Sequence, residues 1–244
     1  MIAQTVILAA GSGSRLSEAR GEVPKPLLTV AGTPLITHAL AHARASGCDE
    51  AIVVIGYEGA RVKAAVEAMR TGLRIQFVES PDPTAPNGVS LLAAEPLTHA
   101  TFYLQMVDHL FVETALTKLS STVFAPGEGG RVLVDRAPGE LDLSDATKVR
   151  LAGGRVVAIG KGLETWDAID AGCFALTRAV FDALRQAPAE EPRTVSSGMR
   201  QLVARGQLGS VDVDGIEWID VDTPHDRQMA ERLLARRLCA TDSP

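Results

Sequence analysis

Two patterns of hydrophobic residues alternate along this chain. Short continuous apolar runs, rich in Val, Ile and Leu, alternate with longer segments whose apolar residues recur three and four positions apart. The first pattern is typical of strands buried on both faces, and the second of amphipathic helices. The runs predict strands at residues 5–8, 50–55, 74–79, 100–106, 131–135, 148–151, 155–159, 168–175, 209–213 and 217–221. The helical spacing predicts helices at residues 34–46, 60–70, 112–120 and 223–237.

This alternation of strands and helices predicts an α/β fold. We expect three layers, α/β/α, around a mostly parallel, doubly wound, Rossmann-like sheet, in a single domain over residues 1–244. Residues 125–175 differ, because Gly-Gly pairs flanked by β-branched residues give hairpin signals there. That region predicts a small β-rich insertion that faces the substrate, with a second small sheet as one form that it could take.

Composition narrows the classes of protein. The 244 residues are 46% hydrophobic and 22% charged, which is ordinary for a globular protein. No apolar run approaches the ~20 residues that cross a bilayer, and the N-terminus lacks the basic region of a signal peptide. We therefore expect a cytoplasmic protein with no membrane insertion.

Charge and cysteine usage argue against nucleic-acid-binding, zinc-stabilised and disulfide-stabilised proteins. The net charge is −6, no block of five basic residues occurs, and 4% of residues are aromatic, so we expect no nucleic-acid partner. Cys48, Cys173 and Cys239 are odd in number and widely spaced, which argues against structural zinc and against a disulfide framework.

A loop of small residues follows the first predicted strand. Its Gly-Ser-Gly at residues 11–13 lets a backbone approach a ligand closely, and successive N–H groups in such a turn attract anions. Arg15 adds a guanidinium suited to phosphate oxygens, and Lys25 adds an ammonium between two prolines. The chain has no P-loop ending, and Leu16 stands where a dinucleotide fingerprint needs glycine. The set predicts a nucleoside triphosphate site, with an ordinary tight turn as the alternative.

Three carboxylates stand at the ends of predicted strands. Asp108 closely follows the strand at 100–106, and Asp220 and Asp222 alternate at the end of the last strand, so those two point to one face. Magnesium is usually held by one or two carboxylates together with substrate phosphates, so the three predict a Mg²⁺ site. Helix caps and solvent-facing charges are the alternatives. The sequence does not decide between Asp220 and Asp222.

At these residues the chain resembles the sugar-phosphate nucleotidyltransferases. Their signature L-A-A-G-x-G-x-R, followed by P-K-P, matches residues 8–15 and 24–26. Within that family the chain is most similar to the CTP:inositol-1-phosphate cytidylyltransferases. The further matching pieces are residues 87–91 (NGVSL), 106–109 (MVDH), 134–136 (VDR), 146–149 (ATKV), 167–172 (DAIDAG) and 218–224 (WIDVDTP).

The resemblance implies transfer of a cytidylyl group from CTP to a phosphomonoester, inositol 1-phosphate first, with CDP-inositol and pyrophosphate as products and Mg²⁺ as cofactor. The catalytic residues would be Arg15 and Lys25. The nucleotide-binding residues would be Leu8, Ala9, Ala10, Gly11, Ser12, Gly13, Asn87, Gly88 and Ser90. The acceptor-binding residues would be Lys148, Lys161, Asp170 and Gly172, with the insertion at 125–175 facing the acceptor. The metal ligands would come from Asp108, Asp220 and Asp222.

The base-reading segment is where cytosine is favoured. Asn87 and Ser90 offer donors and acceptors, and Gly88 lets the backbone approach, although a tight Asn-Gly turn is an alternative. In similar cytidylyltransferases this segment faces the base, and the Gly-Thr segment of uridine- and thymidine-using relatives is missing here.

Other functions remain open at this point. The acceptor could be phosphocholine, a phosphonate or a hexose 1-phosphate, because acidic residues and Trp166 would suit a choline cation as well as a polyol. A non-catalytic nucleotide-binding domain ranks lower, since Arg15, Lys25 and Asp108 are all present. The oligomeric state cannot be read from the sequence.

Overall fold

The computed structural model describes residues 2–13, 23–121, 124–139 and 141–241. The strands in these ranges are β1 (Gln4–Ala9), β2 (Thr29–Val30), β3 (Thr33–Pro34), β4 (Glu50–Ile55), β5 (Arg74–Glu79), β6 (Thr101–Met106), β7 (His109–Phe111), β8 (Gly130–Asp135), β9 (Lys148–Ala152), β10 (Arg155–Gly160), β11 (Ala168–Thr177), β12 (Leu208–Asp212) and β13 (Trp218–Asp220). The helices are α1 (Leu35–Ala45), α2 (Gly59–Glu67), α3 (Asn87–Ala94), α4 (Leu116–Leu119), α5 (Ala179–Arg185), α6 (Val195–Ala204) and α7 (Pro224–Thr241). None of these helices combines the length and the apolarity that crossing a bilayer requires.

Strand β1 shows how the sequence makes three layers. All six of its residues are buried. Because side chains alternate along a strand, Val6 and Leu8 pack into a hydrophobic cluster on one face of the sheet, while Ile7 and Ala9 pack into another on the opposite face. Helix α3 contributes to the first cluster, and α1 and α2 contribute to the second. The predicted α/β fold is therefore confirmed.

The order of the parallel strands creates a crevice. Strands β5, β4, β1 and β6 lie side by side and parallel, in that order. The chain therefore moves outward from β1 to β4 and β5, and then returns to the other side of β1 as β6. In open α/β sheets, ligands bind beyond the carboxyl ends of the strands where the strand order reverses. Here that place lies beyond Ala9 and Met106, the last residues of β1 and β6.

The strands between residues 125 and 175 extend the main sheet, so the alternative of a second small sheet is not what the chain forms there. Strand β11 runs antiparallel between β6 and β8, and β12, β10 and β9 follow in the nine-stranded sheet. Strand β9 also pairs with the start of β11, so β11, β8, β12, β10 and β9 form a closed circuit of pairings. Residues of β8, β10, β11 and β12 line a space beside the crevice. Because β11 is antiparallel to both of its neighbours, the sheet is mixed, although its first four strands are parallel.

Only one turn of a predicted helix forms. We expected a helix over residues 112–120, but α4 covers Leu116–Leu119 alone. Before it, β7 pairs antiparallel with β13, and the Val112 N–H donates to the Glu217 carbonyl (3.0 Å), so the chain still runs beside the β13 segment where the helix was expected to begin. Helices α3, α5 and α6 were not predicted.

The last helix begins as the sequence predicts. Thr223 precedes Pro224, the first helical residue, and its hydroxyl accepts from the backbone N–H of Asp226 (3.2 Å). In return the Asp226 carboxylate accepts from the Thr223 backbone N–H (2.7 Å), which forms a reciprocal cap.

A buried histidine ties helix α1 to the sheet. His42 Nδ1 donates to Gln105 Oε1 (2.8 Å), and Nε2 accepts from the Ala115 backbone N–H (2.9 Å). The ring also stacks on Phe111 at 5.1 Å between centroids. Burial lowers the pKa of His42 to about 4, because the charged imidazolium would lose its hydration and a neutral tautomer already uses both nitrogens.

We expect acidification to destabilise the fold through His42. An unfolded imidazole has a pKa of about 6.5, so between that value and about 4 the unfolded chain binds a proton that the folded chain refuses. The contribution is complete above pH ~6.5 and is lost as the pH falls through this window, by about 3 kcal/mol in total. Urea denaturation of the unsubstituted protein and of His42→Gln at a series of pH values measures it.

The variant should show a shallower loss of unfolding free energy between pH 6.5 and 4. His225→Gln, which removes an exposed histidine of α7, is the matched control. Identical pH slopes for His42→Gln and the unsubstituted protein would show that His42 does not carry this dependence.

Candidate active site

Two adjoining cavities lie beyond the carboxyl ends of β1 and β6. The smaller one, of about 170 Å³, includes Gly11, Gly13 and Lys25 in its wall. The larger one, of about 1310 Å³, extends toward Asp170. Residues common to both walls are Asn87, Met106 and Asp108. The glycine loop, the lysine and the first carboxylate predicted from the sequence therefore surround one space, next to a second space wide enough for another ligand.

The backbone of Lys25 is held by a short 3₁₀ turn, Lys25–Leu27. The Leu27 N–H donates to the Pro24 carbonyl (2.8 Å), and the Leu28 N–H donates to the Lys25 carbonyl (3.0 Å). Gly13 packs against the aliphatic stem, since a Cβ there would lie 2.8 Å from the Lys25 Cβ. A glycine is needed at position 13 for this reason, and also because its φ is +60°.

The three predicted carboxylates converge because the β7–β13 ladder joins their segments. Asp220 pairs with His109 in the ladder, directly after Asp108, and the Val221 N–H donates to the Asp108 carbonyl (3.0 Å). The Lys25 ammonium lies 2.5 Å from Asp108 Oδ2 and 2.5 Å from Asp222 Oδ1. A residue from the first thirty positions and two aspartates 114 positions apart thus form one ion cluster.

Strong fields act inside this cluster. Burial would lower the pKa of Lys25, but the charges of Asp108, Asp220 and Asp222 outweigh burial and raise that pKa above its usual value. Burial would likewise raise the pKa of Asp108, yet the Lys25 ammonium and His109 hold it well below its usual range. Asp108 is therefore an anion and Lys25 a cation at neutral pH.

Asp220 and His109 form the second part of the cluster. Burial, reinforced by the charges of Asp108 and Asp222, raises the pKa of Asp220 to about 7. Burial would lower the pKa of His109, but the charges of Asp220 and Asp108 raise it to about 9. His109 Nδ1 lies 2.9 Å from Asp108 Oδ1 and 3.8 Å from Asp220 Oδ1.

The same group of side chains could hold a metal ion. One potential ligand atom from each of Asp108, His109 and Asp220 lies within 4.8 Å of the others. Asp220 Oδ1 is buried and has no hydrogen-bond partner among the described residues. An orphaned carboxylate oxygen beside a second carboxylate fits a hard cation, which prefers oxygen ligands.

Sequence reasoning missed the support behind this cluster. The Trp218 indole stacks on His109 (5.5 Å between centroids), and its Nε1–H donates to Asp135 Oδ2 (2.8 Å). Phe111 stacks on both Trp218 and His42. A row of stacked rings therefore connects the core at His42 with the cluster at His109. Asp135 ends a buried strand and belongs to a stretch, residues 134–136, that matches the family. A carboxylate in that position could have been predicted to accept a hydrogen bond from a buried N–H.

Asp170 and Gly172 lie in the wall of the larger cavity. The Gly172 N–H donates to Asp170 Oδ1 (2.8 Å), and burial raises the pKa of Asp170 to about 6. Gly172 has a φ of +71°, and a Cβ there would come within 2.2 Å of the His109 ring. The glycine is thus required by the approach of His109.

The structure gives Gly88 a different role from the one expected. A Cβ on Gly88 would lie 2.4 Å from the Arg193 carbonyl oxygen, so this glycine packs α3 closely against the segment before α6 and lines neither cavity. Asn87 starts α3 and does not form an Asn-Gly turn. Its Oδ1 accepts from the Val195 N–H (2.8 Å), while Ser90 lines the smaller cavity and contacts Ser80 (3.0 Å between hydroxyl oxygens).

Some of the remaining predicted residues line the two cavities, and others do not. Leu8 and Ala10 line the smaller cavity, but Ala9 points to the opposite face of β1, into the core. Lys161 lines the larger cavity and pairs with Asp145, whereas Lys148 lines neither cavity. Arg15 lies outside the described residues, and Ser12 lies between Gly11 and Gly13.

Similarity to a known family runs through most of this chain. The family model of the MobA-like NTP transferase domain matches residues 5–205. The chain belongs to this family. The nucleotidyltransferase resemblance seen in the sequence is thereby confirmed.

Similar curated proteins share most of this chain's length. It is 38% identical over 231 residues to "Bifunctional IPC transferase and DIPP synthase" of Rubrobacter xylanophilus, covering 93% of this chain and 51% of that protein. It is 31% identical over 256 residues to "CMP-5'-(3-aminopropyl)phosphonate synthase" of Streptomyces rubellomurinus, covering 93% and 38%. The chain spans about half the length of the bifunctional relatives, including the one from Aquifex aeolicus (32% identity, 53% of that protein).

Solved structures show the same fold. The inositol-1-phosphate CTP transferase from T. maritima superposes with a TM-score of 0.84, at 23% identity and over 96% of both chains. A UDP-glucose pyrophosphorylase complexed with UDP-glucose gives 0.81, at 17% identity and over 97% of this chain.

We expect Gly88→Ala to lower stability. Its Cβ would force the Arg193 carbonyl away, and overpacking of this kind costs about 1–3 kcal/mol. Gly11→Ala is the matched control, because no atom lies within 4 Å of a Cβ there, and its unfolding free energy should change by less than about 0.5 kcal/mol. Urea denaturation compares them; a Gly88→Ala protein as stable as the control would refute the packing role.

We expect Trp218→Phe to destabilise the protein by about 1–3 kcal/mol, because the stack on His109 survives while buried Asp135 Oδ2 loses its donor. Trp166→Phe is the control for removing an indole. Chemical denaturation of both variants measures the difference, and equal stabilities would mean that the Asp135 bond contributes nothing.

Proposed function

We propose that this protein transfers a cytidylyl group from CTP to the phosphate of a phosphomonoester, inositol 1-phosphate first, and releases pyrophosphate. The observation that carries the proposal is the meeting of the glycine loop, Lys25 and Asp108 around one cavity that opens into a wider one. Such an arrangement suits two anionic substrates whose phosphates must come together beside cations.

The chemistry requires little from the protein besides position and charge. The acceptor phosphate is an anionic nucleophile at pH 7, so attack on the α-phosphorus needs neither a covalent residue nor a strong base. The barrier then depends on holding two anions in line and on stabilising the leaving pyrophosphate. The Lys25 ammonium at the wall of the smaller cavity is suited to that second task. Arg15 stays a prediction from the family signature.

Asn87 is suited to read cytosine. Its Oδ1 is already engaged by the Val195 N–H, which leaves its amide N–H groups as donors toward the cavities. Cytosine offers two acceptors, a ring nitrogen and a carbonyl oxygen, on its pairing edge. Ser90 in the same wall adds a hydroxyl.

Asp108, with Asp220 or Asp222, would hold Mg²⁺ when the nucleotide is bound. The metal would neutralise charge on the triphosphate. Lys25 would then contact phosphate oxygens, and Asp108 would fix the position of the nucleotide relative to the loop at residues 11–13.

The wider cavity would take the acceptor. Lys161 would bind its phosphate, and Asp170 beside Gly172 would accept from hydroxyl groups of a polyol. Lys148 stays a prediction that rests on the family resemblance, as does the acceptor-facing role of residues 125–175. A cytoplasmic location also stays a prediction.

A second candidate acceptor is a phosphonate or phosphomonoester that carries an ammonium group. Acidic side chains outnumber basic ones in the wall of the larger cavity, and these would bind a cation as well as a polyol. The similarity to the aminopropylphosphonate synthase of Streptomyces rubellomurinus supports the same class.

Pyrophosphate release from four nucleoside triphosphates, each with inositol 1-phosphate, phosphocholine, 3-aminopropylphosphonate and glucose 1-phosphate, tests the proposal. We expect the fastest Mg²⁺-dependent turnover with CTP and inositol 1-phosphate. Turnover with an ammonium-bearing acceptor alone would select the second candidate, and CTP binding with no turnover would favour a non-catalytic domain.

In that assay, Lys25→Ala and Asp108→Ala should each lower turnover by at least about two orders of magnitude, as expected for lost stabilisation of developing charge. Lys118→Ala and Asp182→Ala remove a surface lysine and a surface aspartate and should retain turnover within about two-fold. Near-normal turnover of Lys25→Ala or Asp108→Ala would contradict their assignment.

A further inference from the structure

The Lys25 ammonium stands where a metal would bind. Its nitrogen is 2.5 Å from an oxygen of Asp108 and 2.5 Å from an oxygen of Asp222, and its side chain is only 7% exposed. Magnesium binds carboxylate oxygens at about 2.0–2.1 Å, so an ion shared by these two oxygens would overlap the ammonium. The two cations therefore cannot share these two oxygens.

The backbones that carry the two carboxylates are held close together. The β7–β13 ladder and the bond from the Val221 N–H to the Asp108 carbonyl join their segments, and the Asp226 carboxylate accepts from the Asp222 backbone N–H (3.1 Å). Backbone hydrogen bonds therefore fix the distance between the two segments, from which each carboxylate reaches the ammonium through only two side-chain torsions.

The ammonium, in contrast, can move on a fixed anchor. The Lys25 backbone is held by the 3₁₀ turn and its prolines, while four side-chain torsions separate the nitrogen from that backbone. The side chain also borders the smaller cavity beside Gly11 and Gly13. A rotamer change would carry the nitrogen from the carboxylates toward that cavity.

We propose that Lys25 is the resident cation of the metal site in the nucleotide-free protein, and that a divalent metal binds Asp108 and Asp222 only when the ammonium leaves them. This inference rests on the proposed function, since the triphosphate is what would accept the displaced ammonium. Metal and nucleotide then bind in concert: phosphate oxygens in the smaller cavity attract Lys25, and the metal takes the place of its ammonium on Asp108 and Asp222.

Removal of the Lys25 ammonium should strengthen metal binding in the absence of nucleotide. Lys25→Met should bind Mn²⁺, without nucleotide, at least ten-fold more tightly than the unsubstituted protein, because no ammonium then competes for the Asp108 and Asp222 oxygens. Electron paramagnetic resonance of free Mn²⁺ measures the affinity without any need for activity. Affinities equal within two-fold would overturn the proposal.

Two further variants separate occupancy from charge. Lys161→Met removes an ammonium from the wall of the larger cavity, and should leave Mn²⁺ affinity within two-fold of the unsubstituted protein. Adding Asp222→Asn to Lys25→Met should abolish the gain. A gain that survives Asp222→Asn but disappears with Asp220→Asn would place the metal on the Asp108–His109–Asp220 group and overturn the inference.

A measurement on the unsubstituted protein covers the case in which Lys25→Met fails to fold. With lysine labelled by ¹³C at Cε, the Lys25 resonance is assigned by its loss in Lys25→Arg. Saturating Mg²⁺ should move this resonance toward that of solvated lysines. Calorimetric binding of Mg²⁺ while the resonance stays unmoved would overturn the proposal.

These results are independent of the substrate assay. Tighter Mn²⁺ binding by Lys25→Met, together with no turnover on any acceptor, would reject the proposed reaction but support occupancy of the metal site by Lys25. Turnover of the unsubstituted protein with CTP, together with unchanged Mn²⁺ affinity of Lys25→Met, would support the proposed reaction but reject occupancy of the metal site by Lys25.

Discussion

Repulsion among three aspartates at one edge of the sheet is the constraint on which the site depends. Asp108, Asp220 and Asp222 meet in a partly buried place, where like charges are costly unless cations lie among them. Lys25 and His109 provide positive charge there: the ammonium contacts two of the three carboxylates, and His109 Nδ1 lies 2.9 Å from Asp108 Oδ1. Burial and mutual repulsion bear most heavily on Asp220, whose pKa rises to about 7 and whose Oδ1 lacks a hydrogen-bond partner among the described residues. The cluster thus keeps a carboxylate oxygen without a hydrogen-bond partner among the described residues, which is the condition that a bound metal ion would relieve.

Topology brings these groups together. The reversal of strand order beside β1 opens a crevice, and the ladder between β7 and β13 carries Asp220 and Asp222 to Asp108 from the far end of the chain. Residues of β8, β10, β11 and β12 then line a second space next to the first. One fold therefore offers a narrow cavity bounded by glycines and a lysine, and a wider one bounded by carboxylates. This pairing suits a reaction that joins a nucleotide to a second phosphorylated molecule.

Much of this could be predicted from the sequence, because its signals are local. Buried parallel strands are continuous apolar runs, and the loop at residues 11–13 and Lys25 form a recognisable motif. The rest depends on contacts between distant segments. Nothing near Gly88 indicates that the Arg193 carbonyl will press against it, and nothing near Trp218 indicates that Asp135 will accept its N–H. The alternation of Leu8, Ala9 and Ala10 across β1 could have excluded Ala9 from the cavity, had the period of two been applied to the motif itself.

A crystal structure of the protein grown with CTP and Mg²⁺ tests the central claim most directly. The account predicts a triphosphate in the smaller cavity, against the backbone of residues 11–13, with Lys25 on phosphate oxygens and the metal on Asp108. A nucleotide bound elsewhere, with Lys25 still between Asp108 and Asp222, would contradict it.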